Sequence, residues 1–363
     1  MKKVAILGFG SMGRLHYDVW KALKGARVVA VCDRNPAGFK QPARAYGLVD
    51  VSSGEALADS VAIYTDLAPM LAEVKPDIVD ITLPTRFHAD AAVAALEAGA
   101  DVLCEKPMAL DTKGCDRMMA AAKRAGRKLM IAQCLRFAPE YGLLKDLVVS
   151  GKYGEVISAN FTRLTAPPQT NDGRESWFFD ETLSGGLALD LNIHDADVVR
   201  WLFGEPKGVT SRVHRRKTGS VDHLLVAYDY PNAVVTTEAS WAAAPSFAFQ
   251  FGYRVMFARA TVVYDPWRKD PLLVYPLKGN PFAPKIKAQS PYAEEIRQFF
   301  KWVARGHAVS AAVAGRPPYR GDDGRARTPC APPVGNADIR ASIALIAAER
   351  KSSATGRRVE FKG

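Results

Sequence analysis

Three short segments carry residue types whose spacing can do chemistry. The first is Gly8-Phe-Gly10-Ser11-Met12-Gly13, directly after an apolar run and directly before a helical pattern. In a strand–turn–helix setting this glycine spacing cradles a pyrophosphate. Gly8 permits the tight turn, Gly10 lets the backbone approach the phosphates, and Gly13 lets the helix pack close to the sheet. The helix start adds free N–H groups and the positive end of its dipole. Asp33 follows Gly13 by twenty residues, where a carboxylate can accept hydrogen bonds from an adenosine ribose. It favours NAD and repels the 2′-phosphate of NADP, whereas Arg34 beside it would attract that phosphate. The second segment, Cys104-Glu105-Lys106-Pro107, ends an apolar run and points a lysine toward the crevice beyond the carboxyl ends of parallel strands. The third is Ser184-Gly-Gly-Leu-Ala-Leu-Asp190-Leu-Asn-Ile-His194-Asp-Ala-Asp197. Two glycines open an amphipathic helix on which Asp190 and His194 share a face, and Asp197 continues the stripe. A carboxylate one turn from an imidazole can orient it and support its protonated form. A metal reading of the stripe lacks a third ligand, so no metal is expected. Taken singly, a strand-end lysine also reads as a surface charge, and Asp-x-x-x-His as a helix-surface pair.

The elements that must position these residues fall into two architectures. Through residue 132, strands are expected at Lys3–Leu7, Arg27–Cys32, Val61–Tyr64, Asp77–Leu83, Asp101–Glu105 and Lys128–Ala132. Helical patterns such as Ala89–Glu97 and Asp111–Ala125 separate them, and Gly25, Gly47, Gly99 and Gly126 stand at helix ends. Nearly continuous apolar strands alternating with helices require a parallel sheet covered on both faces. Residues 1–132 therefore read as an α/β, Rossmann-type doubly wound dinucleotide-binding domain. Residues 133–363 read as an α+β substrate and oligomerisation domain on a large open, mostly antiparallel sheet. Its expected strands are Val156–Leu164, His223–Tyr230, Ala233–Trp241, Phe247–Phe257 and Ala260–Tyr264, interrupted by a helix at Leu187–Phe203. A final helix is expected at Asp338–Lys351, then a short strand at Val359–Phe361. Residues 306–336, rich in Pro, Gly and Arg and without periodicity, read as a loop insertion. An open sheet leaves a broad face that asks for a partner, so a homodimer or homotetramer through that sheet is expected.

Composition narrows the function classes. The chain has 363 residues, 48% hydrophobic and 24% charged, the mix of a globular protein with a large core. Collagen-like, disordered and disulfide-scaffold readings fail. No apolar run is long enough to span a membrane, and MKKVAILGFG reads as a first strand rather than a signal sequence. Five cysteines, Cys32, Cys104, Cys115, Cys134 and Cys330, show no C-x-x-C spacing. They read as buried fillers in a reducing cytoplasm. The net charge of +11 is scattered, its densest cluster being the short Arg212–Lys217 stretch, so nucleic-acid binding is not expected. That charge leans faintly toward an acidic or phosphorylated small molecule.

In order along the chain stand GFGSMGRLH at 8–16, VCDRNP at 31–36, ITLPTRFH at 81–88 and EAGADVLCEKPMAL at 97–110. LRFAPEY at 135–141, GKYGEV at 151–156, SGGLALDLNIHDADVVRWLFG at 184–204 and SSATGRRVEF at 352–361 follow. Together they resemble the Gfo/Idh/MocA oxidoreductases, the group of glucose–fructose oxidoreductase and inositol dehydrogenase. The resemblance implies that Lys106, Asp190 and His194 surround the reacting carbinol of a sugar or cyclitol. It implies cofactor contacts from Thr82, Pro84 and Thr85, with His88 and Glu105 nearby. In the reaction so implied, His194 takes the hydroxyl proton as hydride passes to the nicotinamide, and Lys106 stabilises the developing alkoxide. Arg163 and Trp177 are further candidates for substrate contact. The family usually has Gly two residues before the histidine; Asn192 stands there and is expected to reshape the pocket rim. Two other readings keep the cofactor: a redox-neutral glycosidase or epimerase with tightly bound NAD, and a non-catalytic NAD-binding regulator.

Overall fold

The computed structural model describes residues 1–35, 39, 57–168, 177–306 and 332–362, with the backbone of 319–320 and 326–327. The first sheet is built from β1 (Lys2–Leu7), β2 (Ala26–Cys32), β3 (Ala62–Tyr64), β4 (Ile78–Ile81), β5 (Asp101–Glu105) and β6 (Leu129–Ala132). Its order is β3-β2-β1-β4-β5-β6, and every neighbouring pair is parallel. Each residue of β4, β5 and β6 is buried, which is why these strands read as unbroken runs rather than alternating ones. The helices α1 (Ser11–Ala22), α2 (Leu67–Val74), α3 (His88–Glu97) and α4 (Thr112–Ala125) make the crossovers. Strand order reverses between β1 and β4, so a crevice opens beyond their carboxyl ends.

After α5 (Pro139–Ser150) the chain enters the second sheet through β7 (Val156–Leu164), and α6 (Ile193–Phe203) follows. The remaining strands are β8 (Gly208–Arg215), β9 (Val221–Tyr230), β10 (Ala233–Ser240), β11 (Gln250–Phe257), β12 (Ala260–Tyr264) and β13 (Leu272–Pro276). Then come α7 (Pro291–Ala304), the two-residue strands β14 (Tyr319–Arg320) and β15 (Ala326–Arg327), α8 (Asn336–Thr355) and β16 (Val359–Glu360). The eight-stranded sheet runs β13-β12-β11-β7-β10-β9-β8-β16, antiparallel throughout except where β7 and β10 run parallel. β7 thus inserts between two meanders. The expected mostly antiparallel sheet is present, with β8, β13, α5 and α7 in addition to the elements read from sequence. β8 escapes a pattern search because it ends in the basic cluster, where long charged side chains replace alternation. α7 was legible: Ser290 caps it and Pro291 opens it, while Ile296, Phe299, Trp302 and Val303 are buried.

Two late helices return to the first sheet. Trp20 of α1 meets Phe299 and Phe300 of α7 edge-on at 6.5 and 6.0 Å. Asn336 Nδ2 at the start of α8 donates to Leu129 O at 2.8 Å, and Arg340 grips Asp116. The four described cysteines are buried and unpaired. Gly47, Cys330 and most of the 306–336 stretch lie outside the described residues. No described helix is long and apolar enough to cross a membrane.

Candidate active site

The glycine turn follows β1 directly. Gly8 has φ +90°, and a Cβ there would sit 2.8 Å from Thr82 O. A Cβ on Gly13 would lie 2.1 Å from Gly8 O, so α1 can start this close to the sheet only through glycine. Gly10 differs: a Cβ there meets nothing within 4 Å. Its bare backbone faces open space in the cleft. Thr82 Oγ1 donates to Gly8 O at 2.7 Å and ties the turn to the end of β4. Asp33 ends β2, and its two carboxylate oxygens accept from Phe9 N at 2.8 Å and Asn35 N at 2.9 Å. The Arg34 guanidinium lies 5.1 Å over the Phe87 ring. Gly8, Gly10, Ser11, Met12, Asp33, Arg34, Thr82, Pro84 and Thr85 all line one cleft of about 2190 Å³. An ordinary single-ligand site reaches about 1000 Å³, so there is room for a dinucleotide and a second molecule. The open side of Gly10 and the ready-held Asp33 fit a dinucleotide.

The same cleft continues past Glu105 and Lys106 to Asp190 and His194. Gly185 and Gly186 turn the chain with φ +81° and +66°, and a Cβ on Gly185 would meet Leu189 at 2.4 Å. The segment after them is not the regular α-helix expected. Ala188–Asn192 is π-helical and α6 begins only at Ile193, a local rewinding frequent at functional sites. The altered winding changes the pairing. Lys106 Nζ donates to Asp190 O at 2.8 Å and to Asp190 Oδ1 at 3.2 Å. Asp190 therefore serves the lysine, 84 positions away, and makes no bond to the imidazole one turn on. His194 Nδ1 is buried without a partner. Burial first, then the charges of Lys106 and Arg163, hold His194 well below the usual histidine range, so it is neutral near pH 7.

The chain belongs to the Gfo/Idh/MocA family of oxidoreductases. Its residues 2–133 match the family's "Oxidoreductase family, NAD-binding Rossmann fold" region, and residues 141–263 match its C-terminal domain. Among relatives, it is 30% identical over 216 residues to D-glucoside 3-dehydrogenase of Escherichia coli K12, covering 58% of this chain and 57% of that protein. It is 31% identical over 212 residues to inositol 2-dehydrogenase of Rhizobium meliloti strain 1021, again 58% of this chain and 57% of that protein. The chain thus spans a little over half the length of these relatives. Among solved structures, levoglucosan dehydrogenase with NADH and levoglucosan superposes at TM-score 0.77 with 20% identity, all of both chains covered. An oxidoreductase domain protein from Kribbella flavida does so at 0.78 with 19% identity, also over both whole chains.

Against the family pattern, several side chains are placed unexpectedly. Asn192 does not reach the rim. It is fully buried and its Nδ2 donates to Glu349 Oε2 of α8 at 2.9 Å. His88 has its Nδ1 and Nε2 at 2.8 and 2.7 Å from the carbonyl oxygens of Pro107 and Leu83. It is 1% exposed, so its ring ties the loop after β4 to the turn after β5 instead of meeting a ligand. Asp197 leaves the expected stripe for Arg136 and Ser342. Arg163 lines the cleft, but its guanidinium is gripped by buried Asp195 at 2.9 and 3.2 Å. Trp177 lines the cleft too, stacked on Phe178.

A buried polar cluster behind Glu105 was missed. His16 sits between carboxylates, Nδ1 at 2.9 Å from Asp80 and Nε2 at 3.2 Å from Glu105. Trp20 Nε1 also donates to Asp80. Burial disfavours the His16 charge, but Asp80 and Glu105 prevail and raise its pKa. Glu295 of α7, fully buried, completes the group, and burial next to the Glu105 charge pushes its carboxyl far up, so it is neutral. Possible ligand atoms of His16, Glu105 and Glu295 lie within 4.8 Å of one another. His16 is held between two carboxylates, while its Nε2 and both Glu295 oxygens make no hydrogen bond among the described residues. The sequence held one clue: an aspartate inside the otherwise apolar Ile78-Val-Asp80-Ile81 must have a buried partner.

Proposed function

We propose that this protein is an NAD-dependent dehydrogenase that oxidises a secondary alcohol of a sugar or cyclitol. One observation carries the reading. A single cleft joins the open Gly10 turn and Asp33 at one end to the Lys106 ammonium and the neutral His194 imidazole at the other. The glycine turn and the start of α1 would hold the pyrophosphate, Asp33 the adenosine ribose, and Thr82, Pro84 and Thr85 the inner wall. A bound nicotinamide supplies the hydride acceptor. NAD is favoured over NADP because the Asp33 carboxylate stands where a 2′-phosphate would meet like charge.

The chain's own groups then manage the proton. Lys106 gives two of its three N–H bonds to Asp190. The third is free for the substrate oxygen, whose developing negative charge it stabilises. His194, neutral and with Nδ1 buried, accepts the hydroxyl proton through Nε2. Asp190, fixed by the lysine, accepts from a neighbouring substrate hydroxyl and so orients the substrate. In reduction the same groups return the proton.

A screen of sugars and cyclitols with NAD, read by absorbance of reduced nicotinamide, tests the reading. Stoichiometric NADH is expected with product; its absence from product-forming reactions would favour a redox-neutral enzyme. Lys106→Met is expected to lower turnover by about 10² or more while NAD still binds. Turnover within about threefold of the parent would remove Lys106 from its role.

We also propose that two copies pair through the outer face of the eight-stranded sheet. Ile157, Leu225, Val234 and Met256 stand exposed on β7, β9, β10 and β11, with Val234 at 69%. Sedimentation should give a dimer or tetramer, and Val234→Lys should shift it toward monomer.

A further inference from the structure

The whole chain is basic, at +11, but its cleft is not. Among the described residues that line it, three carry basic side chains, Arg34, Lys106 and Arg163, and seven carry acidic ones. The two cations at the substrate end are already matched. Lys106 is paired with Asp190, and Arg163 is gripped through two nitrogens by Asp195, which is fully buried. Glu140 and Asp180 add two further carboxylates to this end. Asp180 is held ionised by hydrogen bonds from Thr182, which lower its pKa.

Aromatic rings supply the rest of the wall. Trp177 stacks on Phe178 with ring centroids 4.0 Å apart, and Phe249 on Phe251 at 5.4 Å. All four rings line the cleft. Trp241, 1% exposed, backs Phe178 edge-on at 6.2 Å. An aromatic face carries negative potential. It attracts the polarised C–H groups on the apolar face of a sugar ring and repels an anion.

Resting on the dehydrogenase reading above, we infer that the substrate is a neutral pyranoside or cyclitol. Its C–H face lies on the Trp177–Phe178 and Phe249–Phe251 walls, and sugar acids and sugar phosphates are rejected. This reverses the lean toward acidic substrates drawn from net charge. An added carboxylate or phosphate would enter a site whose lining cations Lys106 and Arg163 are already paired, with the Glu140 and Asp180 carboxylates also on its wall. Tyr141 and Tyr264 also line this end and offer neutral hydroxyl-bearing rings.

The test uses the full chain with NAD and matched rings: methyl glucopyranoside and myo-inositol against glucuronate and glucose 6-phosphate. NADH formation gives kcat/KM, and tryptophan fluorescence of the NAD-loaded protein gives binding in parallel. The neutral rings are expected to lead by at least tenfold, about 1.4 kcal/mol. Acidic rings that equal or exceed them would overturn this inference while leaving the dehydrogenase reading intact. Neutral rings that bind preferentially without forming NADH would overturn the dehydrogenase reading and uphold this one. Trp177→Ala is expected to raise KM for the preferred neutral ring at least fivefold, with Trp177→Phe restoring most of it. An unchanged KM in the alanine variant would remove the aromatic wall from recognition.

Discussion

Replacing Glu349 with glutamine should make the protein more stable at alkaline pH than it is with its native residue. Glu349 sits on α8 with no exposed surface. Its oxygens accept from Tyr228 Oη at 2.8 Å and Asn192 Nδ2 at 2.9 Å. Burial drives its pKa from 4.5 up to about 8, against the opposing pull of those hydrogen bonds and of Arg350. In the folded protein it is therefore a neutral acid at pH 7. Below pH 4.5 both folded and unfolded chains carry the proton and the group contributes no pH dependence. As pH rises from 4.5 to 8, only the unfolded chain ionises, so stability is progressively lost, and above 8 the loss is complete. At 1.36 kcal/mol per pH unit the ceiling is about 5 kcal/mol. For a chain of 363 residues that corresponds to about 6 °C in Tm. Glutamine has the same shape and cannot ionise. Its amide can donate to Asn192 Oδ1 once the Asn192 amide turns over, exchanging the present Nδ2–H bond for one of opposite direction. The assay is Tm by calorimetry for both proteins from pH 5 to 9, reading the difference between them so that other titrating groups cancel. The variant should gain at least about 3 °C relative to the parent across that range. A difference that stays flat with pH, or a variant destabilised equally at every pH, would show that Glu349 is ionised in the fold and refute the reasoning.

Further outcomes follow from the same geometry. Gly10→Val should leave Tm nearly unchanged, because the added carbons enter open space, yet weaken NAD binding at least tenfold by calorimetric titration; Gly13→Ala should instead lower Tm, because its Cβ meets Gly8 O at 2.1 Å. With His194 held below its ordinary range, the pH profile of kcat/KM should stay flat from pH 8 down to 6.5, its acid limb lying lower. In Lys106→Met, loss of one of the two cations acting on His194 should move that limb upward in the residual activity. Asp195→Ala should cost about 3–5 kcal/mol in urea unfolding, since it leaves the Arg163 charge buried and unpaired.

Local pattern carried much of this protein's design. The glycine turn was legible because each glycine answers to a backbone constraint within a few residues, or to the strand beside it. β4, β5 and β6 were legible because strands buried on both faces of a parallel sheet write themselves as apolar runs, whereas β3, mostly exposed at the sheet edge, was read from its place before a helical pattern. β8 and the π-helical turn at Ala188–Asn192 were not, because one is masked by long basic side chains and the other keeps an α-like apolar pattern. Glu295 lay in an amphipathic stretch that sequence pattern could have assigned to a helix, though not to a place behind Glu105.

By itself, then, the sequence determined the succession of strands and helices through residue 132, the dinucleotide-type turn, the two-sheet plan and the shortlist of Lys106, Asp190 and His194. Tertiary structure alone decided who partners whom. Asp190 reaches Lys106 rather than His194, Asn192 turns back to Glu349, and His88 ties two loops together instead of touching a ligand. It also decided that, among the described residues, a basic chain lines its cleft with more acidic than basic side chains and with aromatic rings. Helix and strand propensities act over a few residues, whereas charge pairing and burial act between segments tens to hundreds of positions apart, and only the folded chain brings those together.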